Sequence, residues 1–276
     1  LHTFPADVYE ALRVLDIDQT MPVVNYLVET KFHYLTAVAF SPDDRYIAAG
    51  QANGLVRVWS MENRALLAVL LASRVLGEIR DVAFSRDGRF LAVCQDDRDI
   101  PVWGFPDYRK RMLAGHGGSV TAIDFAAGGM LASASEDGTV RLWRSDTWRT
   151  VRRIVAHRGG VTDVVFTADG CFLATGGANG TVAVWNASTG ANIARFAGHE
   201  KAVSSVSFNS NATLLASGAR DGAVLVWDLS DLGLCGDLAR TPAPRFPARL
   251  SGSVFLDGAS ADGSFAPGSC LLYTSP

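Results

Sequence analysis

LASASEDGTVRLW, residues 131–143, is the stretch that decides the fold. Apolar and polar side chains alternate in Thr139–Trp143, and this period of two indicates a β-strand with one buried face. Leu131–Ser135 has the character of a partner strand. Asp137-Gly138, between the two strands, supplies the positive φ angles that a tight hairpin turn requires. The stretch therefore predicts a β-hairpin.

The hairpin is one copy of a repeat that runs along the chain. Its tryptophan recurs at intervals of 44, 40, 42 and 42 residues, at Trp59, Trp103, Trp143, Trp185 and Trp227. Six residues before each tryptophan stands Asn or Asp, usually followed by Gly. Another strand-like run precedes each hairpin, and a more variable segment follows each tryptophan. Each unit is thus a four-stranded antiparallel meander that must stack on its neighbours to bury both faces. The sequence predicts an all-β protein, a β-propeller of four-stranded antiparallel blades.

Dipeptides at fixed places in the repeat carry a resemblance to a known family. They are Gly115-His116, Gly198-His199 and Trp227-Asp228. With these motifs the chain resembles the WD-repeat family over roughly residues 11–240. The resemblance implies five full blades within residues 30–240.

The resemblance also implies a buried polar tetrad in three of the blades. Its expected members are His116, Ser133, Asp137 and Trp143; His157, Thr175, Asn179 and Trp185; and His199, Ser217, Asp221 and Trp227. The indole donates to the hydroxyl, and the imidazole links the hydroxyl to the acid or amide. Ser, His and Asp could instead form a hydrolase triad. The recurrence of the set, the commitment of its hydroxyl and the lack of oxyanion donors argue against that reading. We expect no catalytic residue, no metal site and no cofactor.

The first two units depart from this pattern. Lys31 and Val75 replace the histidine, and Ala49 and Val93 replace the serine. These blades are expected to depend on packing. Pro101 interrupts the tryptophan strand of the second unit, where proline removes a ladder donor. The second blade is therefore expected to be locally distorted and the least regular.

The two ends of the chain depart from the repeat. Residues 1–29 are expected to form part of a blade, namely its tryptophan-equivalent strand and its outer strand. The outer strand of the fifth blade is expected at Gly233–Leu238. Residues 241–276 are rich in Pro, Gly and Ser and are expected to be disordered, and Cys270–Pro276 resembles translated sequencing adapter. With no initiator Met, the chain is expected to be a fragment whose blades form an incomplete ring.

Two surfaces are candidates for binding a partner. The resemblance places exposed loop residues on the face that carries the tetrad His and Asp: Gln51, Asp96, Arg98, Glu136, Arg158, Glu200, Lys201 and Arg220. A basic strip on two outer strands is the second candidate: Arg109, Lys110, Arg111, Trp148, Arg149, Arg152 and Arg153. The alternatives are solvated loops for the first surface and protection against edge-to-edge aggregation for the second.

Composition limits the class of function. A formal net charge of −3 disfavours a nucleic-acid binder, and neither a signal peptide nor a membrane-spanning stretch is apparent. The four scattered cysteines favour a reducing compartment, the cytoplasm, with the nucleus as an alternative. The sequence indicates a non-catalytic scaffold for protein partners, without a small-molecule substrate. The alternative is the regulatory propeller of a larger signalling protein, a kinase or nucleotide-binding ATPase, whose catalytic part lies elsewhere.

Overall fold

The structure is a computed structural model that describes residues 10–16, 23–30, 34–73 and 77–232. These residues form β-strands and one 3₁₀ turn, Ser230–Leu232. The strands make six antiparallel sheets: one of two strands, four of four strands and one of three. The described residues contain no helix with the length and apolar character needed to cross a bilayer.

The strands follow one another in chain order within each sheet. The two-stranded sheet consists of β1 (Glu10–Asp16) and β2 (Val23–Thr30). Blade 1 consists of β3 (Leu35–Phe40), β4 (Tyr46–Gln51), β5 (Leu55–Ser60) and β6 (Leu66–Leu71). Blade 2 consists of β7 (Ile79–Phe84), β8 (Phe90–Gln95), β9 (Ile100–Gly104) and β10 (Lys110–Leu113). Blade 3 consists of β11 (Val120–Ala126), β12 (Met130–Ser135), β13 (Thr139–Arg144) and β14 (Thr150–Val155). Blade 4 consists of β15 (Val161–Phe166), β16 (Phe172–Gly177), β17 (Thr181–Asn186) and β18 (Asn192–Ala197). Blade 5 consists of β19 (Val203–Phe208), β20 (Leu214–Ala219) and β21 (Val224–Asp228).

The predicted fold class, an all-β protein of antiparallel propeller blades, is confirmed. In blade 3, Leu131 pairs with Trp143 across the predicted hairpin. Gly138 in its turn has a φ of 80°, in the left-handed region that favours glycine. The expected outer strand of blade 5, Gly233–Leu238, and the tail 241–276 lie outside the described residues.

Each blade buries apolar side chains against the next blade along the chain. Between blades 1 and 2, Val58 and Leu70 pack in one cluster with Val82 and Trp103. A second cluster joins blade 3 to blade 4 in the same way. Stacking therefore supplies the hydrophobic contacts that a single meander lacks.

Strands β1 and β2 pair antiparallel, from Glu10 opposite Thr30 to Asp16 opposite Val23. They occupy the segment assigned from the sequence to a partial blade. On the face of blade 1 that points away from blade 2, the strand β3 is exposed, with Val38 54% exposed, whereas Ala49 and Trp59 on the same face are buried. The equivalent residue in blade 3, Ile123, is 4% exposed because it packs against blade 2. The exposure is confined to β3, and the described residues contain no complete blade ahead of blade 1.

Blade 2 shows the distortion expected at Pro101. The ladder between β8 and β9 runs from Phe90–Gly104 to Ala92–Val102 and stops before the proline. In blade 3 the corresponding ladder extends two pairs further, to Ala134–Val140. The missing N–H of proline accounts for the shorter ladder.

Candidate functional site

The polar network of blade 3 is a continuous chain of hydrogen bonds. Trp143 Nε1 donates to Ser133 Oγ at 2.9 Å, and Ser133 Oγ lies 2.8 Å from His116 Nε2. His116 Nδ1 lies 3.1 Å from Asp137 Oδ2. Because the serine oxygen accepts from the indole, its own proton points to Nε2, and Nδ1 carries the proton that Asp137 accepts. Ser133 is 0% exposed, so no substrate can reach its oxygen.

Blade 5 repeats this network with the same geometry. Trp227 Nε1 donates to Ser217 Oγ at 2.9 Å, and His199 Nε2 lies 2.8 Å from that oxygen. His199 Nδ1 lies 3.1 Å from Asp221 Oδ2, which also accepts the main-chain N–H of Glu200. The carboxylate therefore holds the loop before β19 as well as the imidazole.

Blade 4 contains a longer chain than the sequence suggests. Trp185 Nε1 donates to Thr175 Oγ1 at 2.9 Å, and His157 Nε2 lies 2.7 Å from the same oxygen. His157 Nδ1 lies 2.9 Å from the hydroxyl of Thr181, which donates to Asn179 Oδ1 at 2.9 Å. Thr181 is a member that sequence reasoning missed. A hydroxyl two residues after the turn asparagine was the signal that could have identified it.

Burial lowers the pKa of the imidazoles in blades 3 and 4 and keeps them neutral. Burial, and then the charge of Arg195, lowers the pKa of His157 to about 4. Burial also lowers the pKa of His116 in spite of its bond to Asp137. Burial by itself would raise the pKa of Asp137, but the hydrogen bonds it accepts, from Thr139 first, hold that pKa well below its ordinary value. The networks of blades 3 and 4 thus have one fixed protonation state near neutral pH.

Blades 1 and 2 use packing where the other blades use the serine or threonine. Ala49 and Val93 stand at that position, and both are fully buried. Trp59 packs in one cluster with Ala49 and Ile47. Lys31 and Val75, at the histidine positions, lie outside the described residues.

A cavity of about 460 Å³ opens on the face that carries the tetrad loops. Two expected surface residues, Glu136 and Arg220, line it together with Arg80. Arg80 binds Asp96 at 2.5 Å and Glu136 at 3.2 Å, so it joins blade 2 to blade 3. Sequence reasoning missed Arg80 because it lies on the inner strand β7 rather than in a loop. Among the described residues, no cluster of His, Cys, Asp or Glu is arranged to hold a metal ion.

Most expected residues of this face are exposed on its loops: Asp96, Arg98, Glu136, Arg158, Glu200, Lys201 and Arg220. Gln51 is the exception and corrects the expectation. It is 1% exposed, and its Oε1 accepts from Arg57 Nε at 3.4 Å. Its polar side chain is used inside blade 1 and is not available to a partner.

The residues of the basic strip differ in their surroundings. One is buried, two bond to neighbouring blades, and the others are exposed. Trp148, expected as a surface aromatic, is 9% exposed because it packs edge-on against Phe90. Lys110 Nζ donates to Leu71 O at 2.8 Å, and Arg152 Nη2 donates to Ser188 O at 2.6 Å. These two cations couple their blades to neighbouring blades. The remaining members are exposed: Arg109, Arg111, Arg149 and Arg153.

The geometry agrees with a comparison of the sequence with known families. The family profile described as "WD domain, G-beta repeat" matches residues 26–60, 71–104, 108–144, 148–186 and 190–228, more than half of the chain. The chain belongs to the WD-repeat family. The first WD repeat begins within β2 and ends with β5, so one repeat spans two successive sheets.

Curated relatives are WD-repeat proteins of greater length. The chain is 32% identical over 133 residues to nuclear distribution protein nudF 1 of Talaromyces marneffei, covering 47% of the chain and 29% of the relative. It is 33% identical over 103 residues to WD repeat-containing protein 1 of Gallus gallus, covering 34% and 17%. The match to the WD repeat-containing protein 55 homolog of Drosophila simulans is 28% over 112 residues, covering 40% and 22%. Each match spans less than a third of the relative.

Proposed function

We propose that this WD-repeat protein is a non-catalytic scaffold that holds partner proteins within a multiprotein assembly. The observation that carries the proposal is the contrast between buried and exposed polar groups. The imidazoles and hydroxyls that could do chemistry are buried and bonded to one another, as in His116 and Ser133. The charged loop residues on the tetrad face are exposed around an open cavity.

The proposed contact surface is the tetrad face, defined by the loops that carry the tetrad His and Asp. Arg80 fixes one part of it by bridging Asp96 and Glu136. Arg158 and Arg220, from blades 4 and 5, are exposed and enter none of the ion pairs found among the described residues. Uncompensated charge of this kind governs partner choice and association rate. The proposal covers protein partners only and includes no small-molecule substrate. The proposed location is the cytoplasm, with the nucleus as the alternative.

Affinity purification with surface variants tests this function. Arg158→Gln, Lys201→Gln and Arg220→Gln together remove three cations from the tetrad face. We expect this variant to lose partners that the unmodified chain recovers. The matched control removes three arginines from the opposite end of the blades, Arg45, Arg64 and Arg144, and should recover all of these partners. Equal recovery by both variants would contradict a role for the tetrad face.

A further inference from the structure

Three arginines lie where blades 2 and 3 face each other, two of them on the outer strands β10 and β14 and one on the neighbouring strand β13. We name Arg111, Arg141 and Arg153 the arginine groove. Arg111 shares a face of β10 with Leu113, because side chains two apart lie on one side of a strand. Leu113 packs in a cluster with Trp143 of blade 3. Arg111 therefore faces blade 3.

The other two arginines face the groove from blade 3. Ile154 packs in a cluster with Trp185 of blade 4, so the adjacent Arg153 on β14 points the opposite way, toward blade 2. Arg141 is directly opposite Arg153 in the ladder. Arg141 also packs against Gly115, where a Cβ atom would lie 3.0 Å from its Nη1. Gly115 belongs to the connection between blades 2 and 3, which places Arg141 beside the same groove.

The cations of the arginine groove form no ion pair within the part of the chain that the structure describes. None of the ion pairs found there includes any of its members. Arg141 Nε is buried without a hydrogen-bond partner. In the groove between blades 3 and 4, by contrast, Arg152 and Arg195 donate to main-chain carbonyls of the facing blade. The arginines between blades 3 and 4 therefore bond to the main chain of the protein itself, whereas no such bond is found for the described arginines between blades 2 and 3.

The cross-strand pair of Arg141 and Arg153 is unfavourable for the isolated protein. Like charges directly opposite one another in a sheet destabilise it. An external anion would convert that repulsion into charge-assisted hydrogen bonds, and the guanidinium fork matches a carboxylate. The groove is thus better suited to a bound anionic partner than to the free state.

We propose that the arginine groove binds an extended acidic segment of a partner protein, in which Asp or Glu alternates with apolar residues. Val151 and Val155 share the Arg153 face of β14 and are 45% and 71% exposed. Apolar side chains beside the arginines fit such a peptide better than a phosphate backbone. The overall net charge of −3 also disfavours a long nucleic acid. This inference rests on the proposed scaffold function and adds the chemistry of one partner segment.

Binding of a labelled peptide of alternating Glu and Val tests the inference. The groove variant carries Arg111→Gln, Arg141→Gln and Arg153→Gln. We expect it to bind the peptide about tenfold more weakly than the unmodified chain at low salt, because carboxylate contacts are lost. The matched control, Arg45→Gln with Arg64→Gln and Arg144→Gln, removes the same charge from the end of the blades opposite the tetrad face and should bind normally. A peptide of alternating Gln and Val should bind none of the three proteins.

The alternatives give distinct results. Equal affinity of the groove variant and the control variant would overturn the proposal. So would an oligothymidylate of the same charge that binds more tightly than the peptide and depends on the same arginines. Thermal unfolding checks that the groove variant is folded, and loss of like-charge repulsion should leave it at least as stable. If the peptide does not bind but partner recovery still depends on the tetrad face, only the inference about the arginine groove is contradicted.

Discussion

At the scale of single residues, one buried hydroxyl holds each complete tetrad together. Ser133 Oγ bonds both Trp143 Nε1 and His116 Nε2, and no water can replace it because all three side chains are buried. Tetrad histidines with a lowered pKa, such as His157, remain neutral and supply the acceptor that the hydroxyl needs. The network is therefore sensitive to the loss of a single oxygen atom.

Ser133→Ala is expected to destabilise the protein by about 2–4 kcal/mol, because it leaves two buried polar atoms unsatisfied. Ser133→Thr is the matched control, since Thr175 performs the same role in blade 4. Urea unfolding measures the two free energies. Equal stability of the alanine and threonine variants would contradict a stabilising role for the tetrad.

At the scale of strands, buried carboxylates join the blades. The inner strands of successive blades share no backbone ladder, yet each of three aspartates accepts a main-chain N–H from the following blade. The pairs are Asp81 with Ile123, Asp124 with Phe166, and Asp163 with Val206, at 3.0, 2.7 and 2.7 Å. The positions that correspond to Asp81 in blades 1 and 5, Ala37 and Ser205, lack a carboxylate. Apolar stacking is thus supplemented at the inner strands by directional polar contacts.

Asp163 provides the clearest test of these contacts. Its Oδ2 accepts from Val206 N and its Oδ1 from Val164 N. Asp163→Ala should lower the free energy of unfolding by about 1–3 kcal/mol, because both N–H groups lose their acceptor. Asp163→Asn keeps one acceptor oxygen and should lose less. Hydrogen exchange at Val206 should quicken in the alanine variant, and unchanged exchange there would argue against the contact.

The sequence patterns within each repeat predicted the strands and turns. They did not predict the contacts between blades. The hairpin at Asp137-Gly138 depends on neighbouring residues, so sequence alone was sufficient. Gln51 and Trp148 were placed at the surface because residue type does not reveal what the rest of the fold packs against them. The aspartate contacts join residues about one repeat apart, and Asp124 lies two residues beyond the position of Asp81 in its own blade. No single-repeat pattern encodes that arrangement.

At the scale of the whole molecule, the inner strands of blades 2, 3 and 4 each carry a buried carboxyl group. Burial, and then the charges of Asp163 and Asp124, raises the pKa of Asp81 to about 7 against its two main-chain hydrogen bonds. Burial likewise raises the pKa of Asp124 to about 6, with Arg86 opposing. The stacked blades therefore contain buried acids that resist ionisation, and the stability of the protein depends on pH through them.

Asp81→Asn reveals the sign of that dependence. The folded-state pKa of Asp81 lies above its unfolded value, so the folded protein binds the extra proton and loses stability as pH rises toward 7. The asparagine variant cannot ionise there and escapes this loss. Its free energy of unfolding, relative to the unmodified chain, should rise by about 2 kcal/mol between about pH 5 and about pH 8. Buried histidines contribute with the opposite sign but equally in both proteins, so they cancel in the difference. A flat or falling difference would mean that Asp81 is already ionised in the folded protein and that the inner strands tolerate its charge.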